Sequence, residues 1–237
     1  MGANFQDDVA SSAILTDCDL YFNGSGDSAQ HIANTGTFDP KYINDSVNTS
    51  PVALDTDLTL NACSMDLNNS TLILNDGTST GKTLNLAGGY LMDTSILGGN
   101  GAKLSLSSGA YLSYVTSDEL IWEGTVLIYS NVSVGRLVNL GTTMNYPGTS
   151  PTLVVQDHLE NHGSISNNSS SNLYLNLAGN LFNYGIITNS YIDFSGSVEQ
   201  TIFQGSTASD IACGSLKKTN SSGSLKLLSD LNLVGCS

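Results

Sequence analysis

Leu137-Val138-Asn139-Leu140-Gly141, Leu159-Glu160-Asn161-His162-Gly163 and Leu181-Phe182-Asn183-Tyr184-Gly185 repeat one pattern, Leu-x-Asn-x-Gly, every 22 residues. Upstream of the second and third copies stand Leu153-Val154-Val155 and Leu175-Asn176-Leu177, at the same spacing. A fixed period of this size marks an array whose units bury their apolar faces only against their neighbours. Within each unit the apolar residues alternate, as in Leu173/Leu175/Leu177, Leu104/Leu106, Leu72/Leu74 and Leu231/Leu233. Alternation sends one side chain inward and the next outward along a strand, and Gly, Asn, Asp and Ser clusters then turn the chain.

Short strands at this period predict an all-β fold, a single-stranded parallel β-helix (β-solenoid) with coils of about 22 residues. Stacked coils place identical positions about 4.8 Å apart. Leu137, Leu159 and Leu181 then form an inward aliphatic stack, and Asn139, Asn161 and Asn183 a structural amide ladder at a corner. Gly141, Gly163 and Gly185 suit a tight corner there, with a left-handed backbone as one possibility. A β-sandwich also has many short strands. It does not explain Leu, Asn and Gly recurring together.

Composition narrows the function. The chain has 237 residues, 40% apolar and only 12% charged, with 21 acidic and seven basic residues and a formal net charge of −14. So few cations cannot neutralise a phosphate backbone, which excludes nucleic acid as a partner. Anionic membrane surfaces are disfavoured for the same reason, and no run of 18 apolar residues is present to insert into a membrane. The opening Met1-Gly2-Ala3-Asn4-Phe5-Gln6-Asp7-Asp8 lacks the basic start and apolar run of a signal peptide. Either an intracellular protein or an excised piece of a longer mature one is expected from this, and the repeats favour the second.

A longer repeat supports that expectation. Leu20-Tyr21-Phe22-Asn23-Gly24-Ser25-Gly26 with Gln30-His31-Ile32 matches Ile192-Asp193-Phe194-Ser195-Gly196-Ser197 with Gln200-Thr201-Ile202. Downstream, Leu54 to Ser64 matches Leu227 to Ser237, and the first copy continues into Met65-Asp66-Leu67. The organisation expected is one solenoid segment over 1–237, with similar cassettes at 17–64 and 190–237 and intervening coils at 65–189. The natural protein is expected to continue past Ser237.

The second cassette carries a resemblance. Gly196-Ser197, Gln200-Thr201-Ile202, Leu216, Ser222-Gly223, Leu225-Lys226-Leu227 and Asp230-Leu231-Asn232-Leu233 follow a pattern written G-S-x-x-Q-x-I … L-x-I-x-x-S-x-G-V-x-L-x-x-D-L-x-V. That pattern resembles a module of large repetitive secreted proteins of Bacteroidetes-type bacteria, adhesin-like or gliding-associated and exported by type IX secretion. The resemblance covers about 45 residues at each end, and Lys217-Lys218 departs from it where apolar alternation is usual. It implies an extracellular or cell-surface location. Partners would be neighbouring repeats of the same chain, with surface polysaccharide or another cell-surface protein beyond them.

Four cysteines permit three pairings. Cys213 and Cys236 are about one coil apart, within disulfide reach. Cys18 and Cys63 are about two coils apart and meet only if part of Thr35–Pro51 loops out of the stack. No Cys/His cluster suggests a metal, and no cofactor is expected.

Catalysis on a β-helix would require facing carboxylates or a basic residue beside clustered acids. Asp7-Asp8, Asp17/Asp19 and Asp55/Asp57 are the close acidic pairs, and they read as turn residues at strand entrances. Arg136 has no acidic cluster near it in sequence. His158 and His162 are not expected to share a face as they would on a helix. The sequons at Asn23, Asn48, Asn131 and Asn220 are expected by chance in such a composition. With Leu181 and Asn183 inward, Phe182 and Tyr184 point outward beside Glu160 and His162 one coil away, which makes these four a candidate carbohydrate-binding patch. The function expected is a non-catalytic structural or adhesive repeat. A carbohydrate-binding module is the first alternative, and a polysaccharide lyase or glycoside hydrolase the second.

Overall fold

The computed structural model describes residues 5–7, 14–22, 29–34, 37–45, 50–78, 80–168 and 171–237, with backbone alone at 5–7, 14–15, 37 and 189–190. Asp8, Asn23-Gly24-Ser25-Gly26 and Asn48 lie outside the described residues, as does the Asp7 side chain. The described residues contain strands and no helix, and every strand pairing is parallel. The fold is a β-solenoid. The chain forms two compact units, Met1–Leu120 and Ile121–Ser237.

In the first unit each coil crosses three parallel ladders. One runs through Asp19–Phe22, Tyr42–Asp45, Ser64–Asp66 and the start of Tyr90–Leu97. The next runs through Gln30–Asn34, Val52–Leu54, Thr71–Ile73 and the end of Tyr90–Leu97. The third stacks Leu58–Asn61, Thr83–Ala87 and Lys103–Ser107. The alternating leucines turn inward as a period of two requires, so Leu58, Leu60, Leu84, Leu86, Leu104 and Leu106 are all buried. Corners between ladders use left-handed residues, among them Ala62 (φ 51°), Asn68 (φ 47°), Asn69 (φ 70°) and Ser108 (φ 54°). Asn is tolerated in that region because its short polar side chain bonds locally. Ala has no such compensation.

The second unit repeats the scheme. Its first ladder stacks the start of Val132–Asn139, the start of Thr152–Asn161, Tyr174–Leu177, the end of Ile186–Phe194 and the end of Ile211–Lys218. The second carries the Leu-x-Asn pattern, where Leu137, Leu159, Leu181 and Ile202 stand in register. The third stacks the end of Tyr111–Ile128, Thr142–Asn145, Ser164–Ser166, the start of Ile186–Phe194 and the start of Ile211–Lys218. Leu137, Leu159 and Leu181 are each 0% exposed.

The amide ladder is present. Asn139 Nδ2 donates to Asn161 Oδ1 at 2.7 Å, and Asn161 Nδ2 donates to Asn183 Oδ1 at 2.8 Å, each step spanning 22 residues. All three amides are fully buried, and each bond satisfies a polar group that water cannot reach. Gly141, Gly163 and Gly185 occupy the corner beside them, but not for a left-handed backbone, since none has a positive φ. The reason is proximity. A Cβ on Gly163 would stand 1.9 Å from the Gly141 carbonyl oxygen, and one on Gly185 would stand 2.0 Å from that of Gly163.

The cassette motif acquires a role at Gln200. Its buried side chain accepts from the Gly196 N–H at 2.9 Å and donates to the carbonyls of Leu177 (2.9 Å) and Gly179 (2.7 Å) on the preceding coil. Gly196 is held so close that a Cβ would lie 2.1 Å from the Ala178 carbonyl oxygen. The matching residues of the first cassette, Phe22, Gln30 and Ile32, are buried as Phe194, Gln200 and Ile202 are. Lys218, which breaks the apolar alternation, pairs in register with Phe194 and donates its ammonium to the carbonyls of Gly196 and Asn220.

Cys213 and Cys236 form a disulfide across one coil, with a Cα separation of 4.7 Å. Cys18 and Cys63 are free, contrary to the second expected pairing. Thr37–Asp39 and Tyr42–Asp45 stay in the stack, and Lys41 is hydrogen-bonded between Cys18 on one side and Ser64 on the other. Two coil steps separate the thiols by about 9.5 Å, beyond disulfide reach. Burial, with the Asp39 carboxylate adding to it, pushes the Cys63 thiol up to about 12.

Candidate functional site: an aromatic platform and a tyrosine groove

The Leu-x-Asn ladder that points Leu159, Asn161, Leu181, Asn183 and Ile202 inward must turn the intervening residues outward. Glu160, Phe182 and Phe203 therefore form one outward column. The His162 imidazole lies on the Tyr184 ring at 4.7 Å and an interplanar angle of 8°, and His158 stacks on Phe182 at 4.6 Å. Phe203 completes the group, 5.5 Å from Tyr184 and 6.2 Å from Phe182. Glu160 Oε1 is 2.7 Å from His162 Nε2, which fixes that imidazole's orientation. His158 lies on the strand Thr152–Asn161 and His162 in the bend just after it, and each stacks on an aromatic ring of the next coil. Among the described residues no group of three or more His, Cys, Asp or Glu is placed to hold a metal ion.

A second feature lies on the first ladder of the same unit. Thr152, Tyr174, Tyr191 and Ser215 make one outward column, and Asn176, Asp193 and Lys217 make the adjacent one. Together they line a groove of about 280 Å³. The Tyr174 and Tyr191 rings are 5.2 Å apart and tilted by 33°. Asp193 Oδ2 accepts from Thr219 Oγ1 at 3.1 Å, and Lys217 Nζ stands 3.7 Å from it. Asp193 Oδ1 is buried and has no hydrogen-bond partner among the described residues.

No family model matches the chain, and neither the curated proteins nor the solved structures gave a match. Glu160, His162, Phe182 and Tyr184 are brought together as the repeat implied, whereas His158 and Phe203 join them unforeseen. Phe203 was legible in principle, since it follows the inward Ile202 by one residue. The tyrosine groove was not legible, because Tyr174 and Tyr191 pair across a coil shorter than the 22-residue period. Asp17, Asp55 and Asp57 of the acidic pairs are engaged elsewhere. Asp17 faces Lys41 at 3.0 Å, Asp55 faces His31 at 2.8 Å, and Asp57 accepts the Thr83 N–H at 2.8 Å. The sequon asparagines 131 and 220 accept N–H groups of Thr152 and Ser222.

Proposed function

We propose that this chain is a non-catalytic structural or adhesive repeat segment of a secreted or cell-surface protein, of the kind its 190–237 cassette resembles. The observation that carries the reading is the buried ladder Asn139–Asn161–Asn183, continuous over three coils. It commits the corner of each coil to its neighbours, which favours a rigid scaffold over a mobile catalytic loop. The Cys213–Cys236 bridge adds support, because disulfides persist in oxidising compartments. A second reading, a carbohydrate-binding module, is favoured by the outward rings of Phe182, Tyr184 and Phe203.

Two measurements test the scaffold reading. Purified protein incubated with pectic, cellulosic and mannan polysaccharides should release neither reducing ends nor unsaturated uronates; turnover of any of them refutes the non-catalytic assignment. In protein recovered from its native source without reductant, mass spectrometry should find Cys213 and Cys236 linked. A reduced pair would overturn the extracellular location.

A further inference from the structure

We infer that the groove over Tyr174 and Tyr191 is a saccharide-binding site, separate from the Phe182–Tyr184 platform. Its parts match the C–H face and the hydroxyl edge of a pyranose ring. The tilted tyrosines offer adjacent aromatic surfaces to the C–H face of a sugar, and Tyr174 is 40% exposed. The neighbouring column supplies the polar complement: the Asn176 amide, the Asp193 carboxylate and the Lys217 ammonium. Buried polar atoms in folded proteins are almost always paired, so the partnerless Asp193 Oδ1 is the feature that points to a ligand. The atom is shielded in the unliganded chain, so a sugar hydroxyl completes it only as the side chains around it shift on binding. Lys217, at one side of that carboxylate, is 60% exposed and only loosely held, 3.7 Å from Asp193 Oδ2. The volume of about 280 Å³ suits one or two sugar rings rather than a folded partner.

The column itself provides substitutions that preserve the strand. Thr152 and Ser215 occupy the same outward positions on the flanking coils, so Tyr174→Thr and Tyr191→Ser remove the rings while keeping residues the ladder already accepts. The probes are cellohexaose, xylohexaose, mannohexaose, chitohexaose and trigalacturonate, titrated by calorimetry against the intact chain. At least one should bind with a Kd of about 1 mM or tighter. Tyr174→Thr, Tyr191→Ser and Asp193→Asn should each weaken that binding about tenfold, with unchanged circular dichroism. The double variant Phe182→Ala/Phe203→Ala should leave it intact. Failure of every probe to bind overturns the proposal. So does binding that survives the groove variants, and binding lost only in the platform variant would transfer the site to the platform.

Discussion

Replacing Asn161 by Ala should destabilise the second unit far more than the loss of one amide suggests. Asn161 sits at the middle of the ladder, 0% exposed, and takes part in both amide–amide bonds, at 2.7 and 2.8 Å, as well as donating to the Ile186 carbonyl at 3.2 Å. Each of the two short bonds contributes about 1 kcal/mol net. Alanine also orphans Asn183 Oδ1 in a fully buried position, at a further cost of about 1–3 kcal/mol. Asn139 Nδ2 keeps weaker contacts with the carbonyls of Gly141 and Ser164, both at 3.3 Å, which limits the damage on that side. The expected loss is about 3–5 kcal/mol. Equilibrium urea unfolding would report it as a lower midpoint at unchanged slope. The control is Gln156→Ala, which removes an exposed amide and should cost under about 0.5 kcal/mol. A second arm uses Asn161→Asp, whose carboxyl would have to stay protonated to donate to Asn183. Burial raises its folded pKa, so that variant should be most stable below about pH 4 and lose stability as pH rises. A loss for Asn161→Ala no larger than for Gln156→Ala would refute the idea that the ladder holds the coils together.

Three further outcomes follow from the geometry. Gly163→Ala places a Cβ 1.9 Å from a backbone oxygen and should cost at least about 3 kcal/mol or prevent folding, whereas Gly148→Ala, with φ +82° and open space around it, should cost about 1 kcal/mol by thermal melting. Serine at both Cys213 and Cys236 opens a loop of 23 residues and should lower stability by about 3 kcal/mol in the same urea assay, with no effect of reductant remaining. Iodoacetamide on native protein should modify Cys18 and spare Cys63, whose folded thiol titrates near 12; because that value is raised, its contribution is complete below the unfolded value of about 9 and should fade as pH rises from there towards 12. Equal alkylation of both thiols by mass spectrometry would contradict the burial.

A regular solenoid converts sequence offset directly into spatial adjacency, so residues one period apart become neighbours about 4.8 Å apart. Leu137, Leu159 and Leu181 and the asparagine ladder keep the 22-residue period, the Cys213–Cys236 bridge departs from it by one residue, and all were legible before any coordinate. So was the outward direction of Phe182 and Tyr184, since alternation decides it. Residues off the period were not. Inter-coil hydrogen bonds span anything from 18 residues (Leu177 to Ser195) to 26 (Thr59 to Asn85), and wherever a coil shortens or lengthens the offset no longer names the neighbour. That is why Tyr174 meets Tyr191 and Lys218 enters beneath Phe194. It is also why Gln200 reaches Leu177 and Gly179 together. The corner glycines were identified by sequence, but only packing explains them: a carbonyl of the coil below fills the space a side chain would need. Period and alternation therefore determined the fold from sequence alone, while the groove was decided by local coil length, which only the folded chain defines.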